Sequence, residues 1–276
     1  MPLRIAIFVA GLISSVNADS ALTVMTYNVH HGEGGDGRVD LRRIAELIRS
    51  SHPDVVCLQE LDKGCERTGR IDMPAELAKL LGMHVVFGAN LKYQGGDYGN
   101  ATLSRYEIVE SENIPLPYVE GGERRGCLRT RLRVEGRLVD VFNTHLDLIQ
   151  EARLKQTAAI SDNVKKGAAV ILAGDFNERI TGPAMRLLTG RFLEVFQQDL
   201  ESTLTTLVGS QRRIDFILIS PEITVLDASV VATEQAKVAS DHLPVVARLA
   251  LPTAAETAID KGIQVEDERV ERAVIR

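Results

Sequence analysis

The sequence is poor in the residues that mark aromatic stacking platforms, disulfide scaffolds and cationic coats. It contains no tryptophan and only 4% aromatic residues, so platforms that stack single-stranded bases are poorly supported. Its three cysteines, Cys57, Cys65 and Cys127, are too few to staple a chain of 276 residues, and no Cys-x-x-Cys pair offers a thiolate zinc site. The net charge of −6 disfavours a sequence-independent coat on nucleic acid, although a local arginine cluster or a divalent ion can still bind phosphate.

The rest of the composition is that of a globular chain. Hydrophobic residues make up 45% of the sequence and charged residues 25%, which excludes a disordered chain. Layered β and α/β architectures use roughly 200–250 residues as one domain, so we expect a single domain over residues 19–250. The charged tail over residues 251–276 is expected outside the core.

The N-terminus has the pattern of an export signal. Arg4 precedes an apolar run over residues 5–13, and the triplet Val16-Asn17-Ala18 closes the segment with a small residue. This pattern predicts a signal peptide over residues 1–18, cleavage after Ala18 and a secreted or periplasmic location. The alternative is a buried first strand. Whether Cys65 and Cys127 pair in an exported chain stays open at this point.

Apolar runs and periodic patterns predict strands and helices that alternate along the chain. Strands are expected over residues 22–28, 54–60, 128–134, 138–144, 168–173, 214–219 and 243–249. Those at 128–134 and 138–144 belong to a region of short strands from 98 to 144. Helices are expected after the cap Asp40, over residues 75–81 with Gly82 as C-terminal cap, and over residues 150–165. No linker divides the two halves, which favours two packed sheets covered by helices on both outer faces.

Polar residues follow these strands at the points where they end. Asn28 and Glu60 end the first two strands, and His145 closes a later one. The other members of this set are Asn100, Asp175, Asn177, Asp215, Asp241 and His242. Strand ends share the edges of a sheet, where side chains can meet on a rigid scaffold. Oxygen, amide and imidazole donors without thiols suit Mg²⁺, Mn²⁺ or Ca²⁺ better than structural zinc.

Each of these residues also has an ordinary structural explanation. Asp175 and Asn177 can form an Asx turn, and Asp241 with His242 can form a turn before the last strand. Glu60 alone can be a salt-bridge partner, and His145 alone a hydrogen-bonded structural histidine.

Asp215 and the histidine pair need separate treatment. Asp215 is the hardest to explain structurally, because a buried carboxylate is costly without a partner, and a histidine would supply one. His30 and His31 are adjacent, so on a strand their side chains would point in opposite directions and at most one would join the site.

Seven stretches in one order resemble the endonuclease/exonuclease/phosphatase superfamily. They are TYNVHHG (26–32), PDVVCLQE (53–60), GNATLSRY (99–106), NTHLD (143–147), GDFNE (174–178), RRIDFIL (212–218) and SDHLPV (240–245). The resemblance covers the chain to about residue 249 and implies a DNase-I-like fold, a four-layered α/β/β/α sandwich.

The resemblance also implies roles for the metal and water ligands. Glu60 resembles the principal metal ligand, with Asn28 beside it on metal or phosphate and Asp241 as a nearby metal-linked carboxylate. Asp175 resembles the residue that orients and deprotonates the attacking water, and Asn177 the residue that binds a phosphoryl oxygen.

The histidines and the pocket residues follow in the same way. His242 resembles the active-site histidine oriented by Asp215, and His145 a histidine that binds phosphate or donates a proton. Which histidine is acid and which is base is left open. Asn100, Arg125 and Arg213 are expected to border the substrate.

The function implied is an exported, divalent-metal-dependent phosphoesterase, most simply one that hydrolyses a phosphodiester. A nuclease acting on DNA or RNA is the alternative substrate class, and a catalytically silent binding domain is the alternative from another class. Arg129, Arg131 and Arg133 share one face of a predicted strand, which suits either a solvated surface or a polyanion contact. The sequence offers no amphipathic, aromatic-rich hairpin, so we expect no stable membrane insertion. We also expect a monomer.

Overall fold

Two six-stranded sheets form the body of the protein in a computed structural model, which describes residues 21–165, 169–196 and 205–252. The predicted signal peptide over residues 1–18 and residues 253–276 of the predicted tail lie outside the described residues. The strands are β1 (Ala21–Asn28), β2 (Val55–Lys63), β3 (His84–Tyr93), β4 (Gly96–Ser104), β5 (Glu107–Pro115), β6 (Gly126–Val134), β7 (Arg137–His145), β8 (Ala169–Asp175), β9 (Leu193–Glu194), β10 (Asp215–Ile219), β11 (Thr224–Val230) and β12 (Val245–Ala250). The helices are α1 (Leu41–Ser50), α2 (Met73–Leu81), α3 (Gln150–Asn163), α4 (Pro183–Thr189) and α5 (Glu234–Ala239).

Each sheet contains one parallel pair of strands near its centre. The first sheet has the order β11-β12-β1-β2-β4-β3, and the second has the order β5-β6-β7-β8-β10-β9. Strands β1 and β2 run parallel in the first sheet, and β7 and β8 run parallel in the second. The carboxyl ends of a parallel pair lie at the same edge of a sheet, so each sheet brings two strand ends together.

Three apolar clusters hold four layers together. Val24 of β1, Val141 of β7 and Ile171 of β8 belong to the cluster between the sheets. A second cluster packs α1, α2 and α5 on the outer face of the first sheet, and a third packs α3 and α4 on the outer face of the second. The layers are therefore helix, sheet, sheet and helix, which confirms the predicted α/β/β/α sandwich.

Local signals in the sequence set the helix ends. The Asp40 carboxylate accepts hydrogen bonds from the backbone N–H groups of Arg42 and Arg43 and so caps α1. Gly82 ends α2 in the left-handed conformation, with φ of 67°.

The cysteines Cys57, Cys65 and Cys127 are all buried and free, so Cys65 and Cys127 do not pair. Among the described residues, no helix is long and apolar enough to cross a membrane.

Candidate active site

The two parallel pairs and two antiparallel strands bring polar side chains to one edge of the sandwich. Asn28 is the last residue of β1, and Glu60 lies in β2. His145 and Asp175 end β7 and β8, directly opposite each other in register. Asp215 begins β10 and is the ladder partner of Asp175. His242 precedes β12 and joins the same cluster through the Asp215 carboxylate.

A glycine allows β7 and β8 to approach closely beside this edge. Gly174 precedes Asp175, and a Cβ placed on it would collide with the backbone carbonyl of Thr144. Only glycine leaves room for that carbonyl. The glycine of the GDFNE stretch therefore sets the distance at which His145 and Asp175 face each other.

Asn28 bridges two carboxylates that belong to different sheets. Its Nδ2 donates to Glu60 Oε1 at 2.8 Å and to Asp175 Oδ2 at 3.1 Å. Its Oδ1 accepts from the backbone N–H of His30 at 3.0 Å. Asp175 Oδ1 accepts from the backbone N–H of Asn177 at 2.9 Å. The Asn28 amide thus holds the carboxylates of Glu60 and Asp175 close together, although two ionised carboxylates repel each other.

Glu60 reaches the site because β2 contains a bulge. Leu58 pairs with Ala101 and Leu61 pairs with Gly99, so two residues of β2 lie opposite one residue of β4. Glu60 has φ of 60°, a left-handed value that is unfavourable for a non-glycine residue. The prediction that β2 ends at Glu60 was wrong, because the strand continues through the bulge to Lys63.

His242 lies between two carboxylates. Its Nδ1 is 2.9 Å from Asp215 Oδ2, and its Nε2 is 3.6 Å from Asp175 Oδ2. Burial opposes the charged imidazolium, but the charges of Asp215, Asp175 and Asp241 outweigh burial and raise the pKa of His242 above its usual value. Burial and the charge of Asp215 raise the pKa of Asp175, while His242 lowers it in part.

His145 has the opposite electrostatic environment. Burial, Arg125 and His242 hold the pKa of His145 well below its usual value, so the ring is neutral. Arg125 Nη1 lies 2.8 Å from His145 Nδ1, and because a guanidinium can only donate, the ring proton is assigned to Nε2. With that assignment the Asn177 amide Nδ2, at 3.1 Å, makes no hydrogen bond to Nε2, which lies 3.4 Å from Asp175 Oδ2. The site therefore holds one protonated and one neutral histidine, each in contact with Asp175.

Two more of the predicted residues lie beside His145 and Gly126. Asn177 Nδ2 donates to the Leu146 carbonyl at 2.9 Å and lies 3.1 Å from His145 Nε2. Asn100 is buried, and its Nδ2 donates to the Gly126 carbonyl at 3.2 Å, so it supports the start of β6.

Asp241 and Arg213 have contacts that do not support their predicted roles. Asp241 is exposed, and it is absent from the groups of described acidic and histidine residues close enough to share an ion. Arg213 is buried, pairs with Glu194 at 2.7 Å and packs against the rings of Phe196 and Phe216. Its contacts are those of a structural ion pair, so its role in substrate binding stays a prediction without geometric support.

The sequence analysis missed Tyr98, and it excluded one of the two adjacent histidines. Tyr98 lies on β4 two residues before Asn100, and burial together with the Glu60 charge raises its pKa well above the usual value. His30, His31 and Glu60 each offer one ligand atom, and these atoms lie within 4.8 Å of one another. The premise that His30 and His31 lie on a strand, with side chains on opposite faces, was wrong, because both lie in a tight turn with positive φ.

The fold and this polar edge together define a DNase-I-like protein. The sequence profile of the Endonuclease/Exonuclease/phosphatase family matches residues 25–242, and the chain belongs to this family.

Three similar proteins show how closely this chain matches known proteins in sequence and in fold. The uncharacterised protein YbhP of Escherichia coli (strain K12) is 32% identical over 169 residues, which cover 56% of this chain and 66% of YbhP, slightly less than two thirds of its length. An endonuclease/exonuclease/phosphatase from Beutenbergia cavernae is 30% identical with a TM-score of 0.74, over 85% of this chain and 72% of that one. A mannosyl-6-phosphatase from Bacteroides thetaiotaomicron is 21% identical with a TM-score of 0.67, over 83% of this chain and 99% of that one, and it shares the fold.

Proposed function

We propose that this chain is an exported, divalent-metal-dependent phosphoesterase that hydrolyses a phosphodiester by in-line attack of water. The observation that supports this most is the contact of Asp175 with a charged and a neutral histidine while Asn28 ties it to Glu60. Membership of a family of phosphate-ester hydrolases supports the same reaction class.

The residues around Asp175 divide the chemical work. Asp175 accepts a proton from water and orients it, because its carboxylate is fixed by Asn28 and by the Asn177 backbone. His242, held by Asp215, supplies positive charge where negative charge develops. His145 is neutral, and its Nε2–H group is a hydrogen-bond donor whose ring is oriented by Arg125. The opposite protonation of the two histidines assigns the charged electrostatic role to His242 and the neutral donor role to His145.

The donor set fits a divalent cation. Glu60 Oε1 is already bonded to Asn28, while the Glu60 side chain is 20% exposed and keeps its other oxygen for an ion. Glu60 and Asn28 would hold Mg²⁺, Mn²⁺ or Ca²⁺, which prefer carboxylate and carbonyl oxygens. When bound, such an ion would neutralise phosphate charge and the leaving oxygen.

A small phosphodiester is the substrate class that the surface charges favour over a long polyanion. Arg129 and Arg131 do not form a free basic face, since both pair with Glu110 and Asp140 at 2.8–3.4 Å. Arg133 pairs with Glu107 at 3.0 Å. Their charges are therefore compensated within the protein, which weakens the nuclease alternative.

The reaction is tested with bis-p-nitrophenyl phosphate in Mg²⁺ or Mn²⁺, with and without EDTA. Glu60→Gln, Asp175→Asn and His242→Ala should each lower turnover by about 10²–10⁴-fold or more, the range of a general acid–base contribution. Asp227→Asn on the exposed edge strand β11 is the control and should keep its turnover. Retention of most activity in two of the three site variants would refute the site assignment.

The substrate class is identified by measuring hydrolysis of plasmid DNA, RNA, sphingomyelin, phosphoinositides and sugar phosphates. Selective cleavage of DNA or RNA would favour the nuclease alternative. Absence of turnover with every metal and every substrate would favour a catalytically silent binding domain.

Export is supported by the pattern of residues 1–18 in the sequence. N-terminal sequencing of the protein recovered outside the cytoplasm should begin at Asp19. An intact Met1 in that fraction would contradict the export proposal.

A further inference from the structure

A tight turn brings two adjacent histidines to the same side of the chain beside Glu60. His30 and His31 have φ of 44° and 42°, and their ring centroids are 4.5 Å apart. Adjacent side chains of a strand would point to opposite faces. The left-handed backbone therefore makes a juxtaposition that an extended chain could not.

The hydrogen bonds of Glu33 leave one free nitrogen on each ring. His30 Nδ1 lies 3.2 Å from the Glu33 carbonyl, which can only accept, so Nδ1 carries the proton and Nε2 has a free lone pair. His31 Nε2 lies 3.3 Å from Glu33 Oε2, and a carboxylate there fixes the proton on Nε2. Histidines that bind metals usually donate their second ring N–H to a carbonyl or carboxylate in this way.

The second ring nitrogen of His31 has no hydrogen-bond partner in the part of the chain that the structure describes. His31 is 8% exposed, and its Nδ1 is buried without a hydrogen bond to any described residue. A buried polar atom of this kind is costly unless something binds it. If the two imidazoles only stabilised the loop, no lone pair would have to stay unpaired. The unpaired lone pair therefore indicates a bound species that coordinates to nitrogen.

We propose that His30, His31 and Glu60 bind a first-row transition-metal ion such as Zn²⁺ in preference to Mg²⁺. One nitrogen of each histidine and one oxygen of Glu60 lie within 4.8 Å of one another. Two imidazoles and a carboxylate are a known ligand set for Zn²⁺ and Fe²⁺, whereas Mg²⁺ prefers oxygen. This ligand set is different from the Glu60 and Asn28 pair of the proposed hydrolase, and the inference rests on that proposal only through the shared ligand Glu60.

The test is metal binding to the untagged, EDTA-treated full chain. Calorimetric titration should give one Zn²⁺ per chain with an affinity at least 100-fold above that for Mg²⁺. Co²⁺ should produce visible d–d absorption bands. His30→Gln and His31→Gln should each remove the bands. Glu33→Gln should weaken Zn²⁺ binding by about 10–100-fold, because the Glu33 carboxylate orients the His31 ring, while the backbone carbonyl that orients His30 stays in place.

The controls separate this site from general effects on folding and on hydrolysis. His84→Gln changes an exposed histidine on β3 and should bind Zn²⁺ like the unchanged chain. Should His31→Gln fail to fold, His30→Gln at a half-buried position still decides the outcome. Equal affinities for Zn²⁺ and Mg²⁺, or unchanged Zn²⁺ binding in His30→Gln, would overturn the inference. Asp175→Asn should abolish hydrolysis and keep Zn²⁺ binding, whereas Zn²⁺ binding by an unchanged chain that hydrolyses nothing would refute the proposed function alone.

Discussion

Unfavourable backbone conformations are concentrated in the residues of the candidate site. Among residues 21–165, 169–196 and 205–252, eight non-glycine residues have positive φ. Four are His30, His31, Glu60 and Asn177, and the other four are His52, Arg70, Gln94 and Glu135. A left-handed conformation costs a non-glycine residue roughly 1–2 kcal/mol. Such strain persists where the surrounding structure fixes it, as it does in functional sites. At these four positions the strained backbone directs the side chain toward the cluster around Glu60 and His145.

The strain at Glu60 can be measured by comparing two substitutions. Glu60→Gly and Glu60→Ala should both lose metal-dependent hydrolysis, but the glycine variant should be more stable by about 1 kcal/mol, because glycine adopts positive φ without a Cβ penalty. Urea unfolding gives both free energies. The same pair at Lys63, an exposed residue of β2 absent from the positive-φ set, should show the usual order with alanine more stable. An alanine variant that is more stable at both positions would contradict a strained Glu60.

The sequence identifies residue types at the site well but their surroundings less well. Asp175, His242 and Asp215 could be named because strand ends and a buried carboxylate have a clear chemical meaning. Arg213 could not be assigned, because its partner Glu194 and two aromatic rings come from distant positions in the chain. The turn at His30 and His31 depends on local φ values that no apolar pattern reveals.

At the scale of elements, buried amides connect the two sheets beneath the site. Asn143 on β7 donates through Nδ2 to the Leu58 carbonyl at 3.1 Å and to the Ala101 carbonyl at 2.8 Å. Gln59 Nε2 donates to Asn143 Oδ1 at 2.9 Å. Both side chains are fully buried, so these hydrogen bonds fix β7 against β2 and β4 where the site residues follow.

Removing this amide bridge should destabilise the protein. Asn143→Leu removes the side-chain donor to the Leu58 and Ala101 carbonyls and one of the three acceptors of the Gln59 amide. A buried polar group that loses its partner costs roughly 1–3 kcal/mol. We expect a loss of about 3 kcal/mol in the free energy of unfolding, measured with urea. Asn163→Leu on the exposed surface of α3 is the control and should stay within about 0.5 kcal/mol. The double variant with Gln59→Leu should lose less than the sum of the two single losses, and strict additivity would refute the bridge.

The strands that the sequence analysis failed to delimit are mostly the edge strands. Strands β3 and β11 flank the first sheet, and β5 and β9 flank the second. An edge strand buries less of its surface, as the largely exposed pattern of β11 illustrates, so it lacks the apolar run that marks the interior strands. Interior strands such as β1, β2 and β8 carry that run, which is why the sandwich could be predicted before its edges.

At the scale of the whole molecule, the site exists only when distant parts of the chain have folded together. Asn28 and Asp175 are 147 residues apart and come from different sheets, yet they share a hydrogen bond. Strand β1 pairs with β12, so the first and last strands described are neighbours in one sheet. An unfolded chain offers none of these convergent ligands, and any ion that binds the site must therefore favour the folded state.

This linkage predicts how much a bound metal stabilises the fold. At a free concentration of 100 times its dissociation constant, the preferred divalent ion should raise the free energy of unfolding by about 2.7 kcal/mol, because it binds the folded chain and not the unfolded one. Urea unfolding with the ion and with EDTA measures the difference. Glu60→Gln should lose the gain because Glu60 is common to both proposed ligand sets, whereas Asp227→Asn on β11 should keep it. An equal gain in Glu60→Gln would mean that the stabilising ion binds elsewhere and that the carboxylate on the β2 bulge is not its ligand.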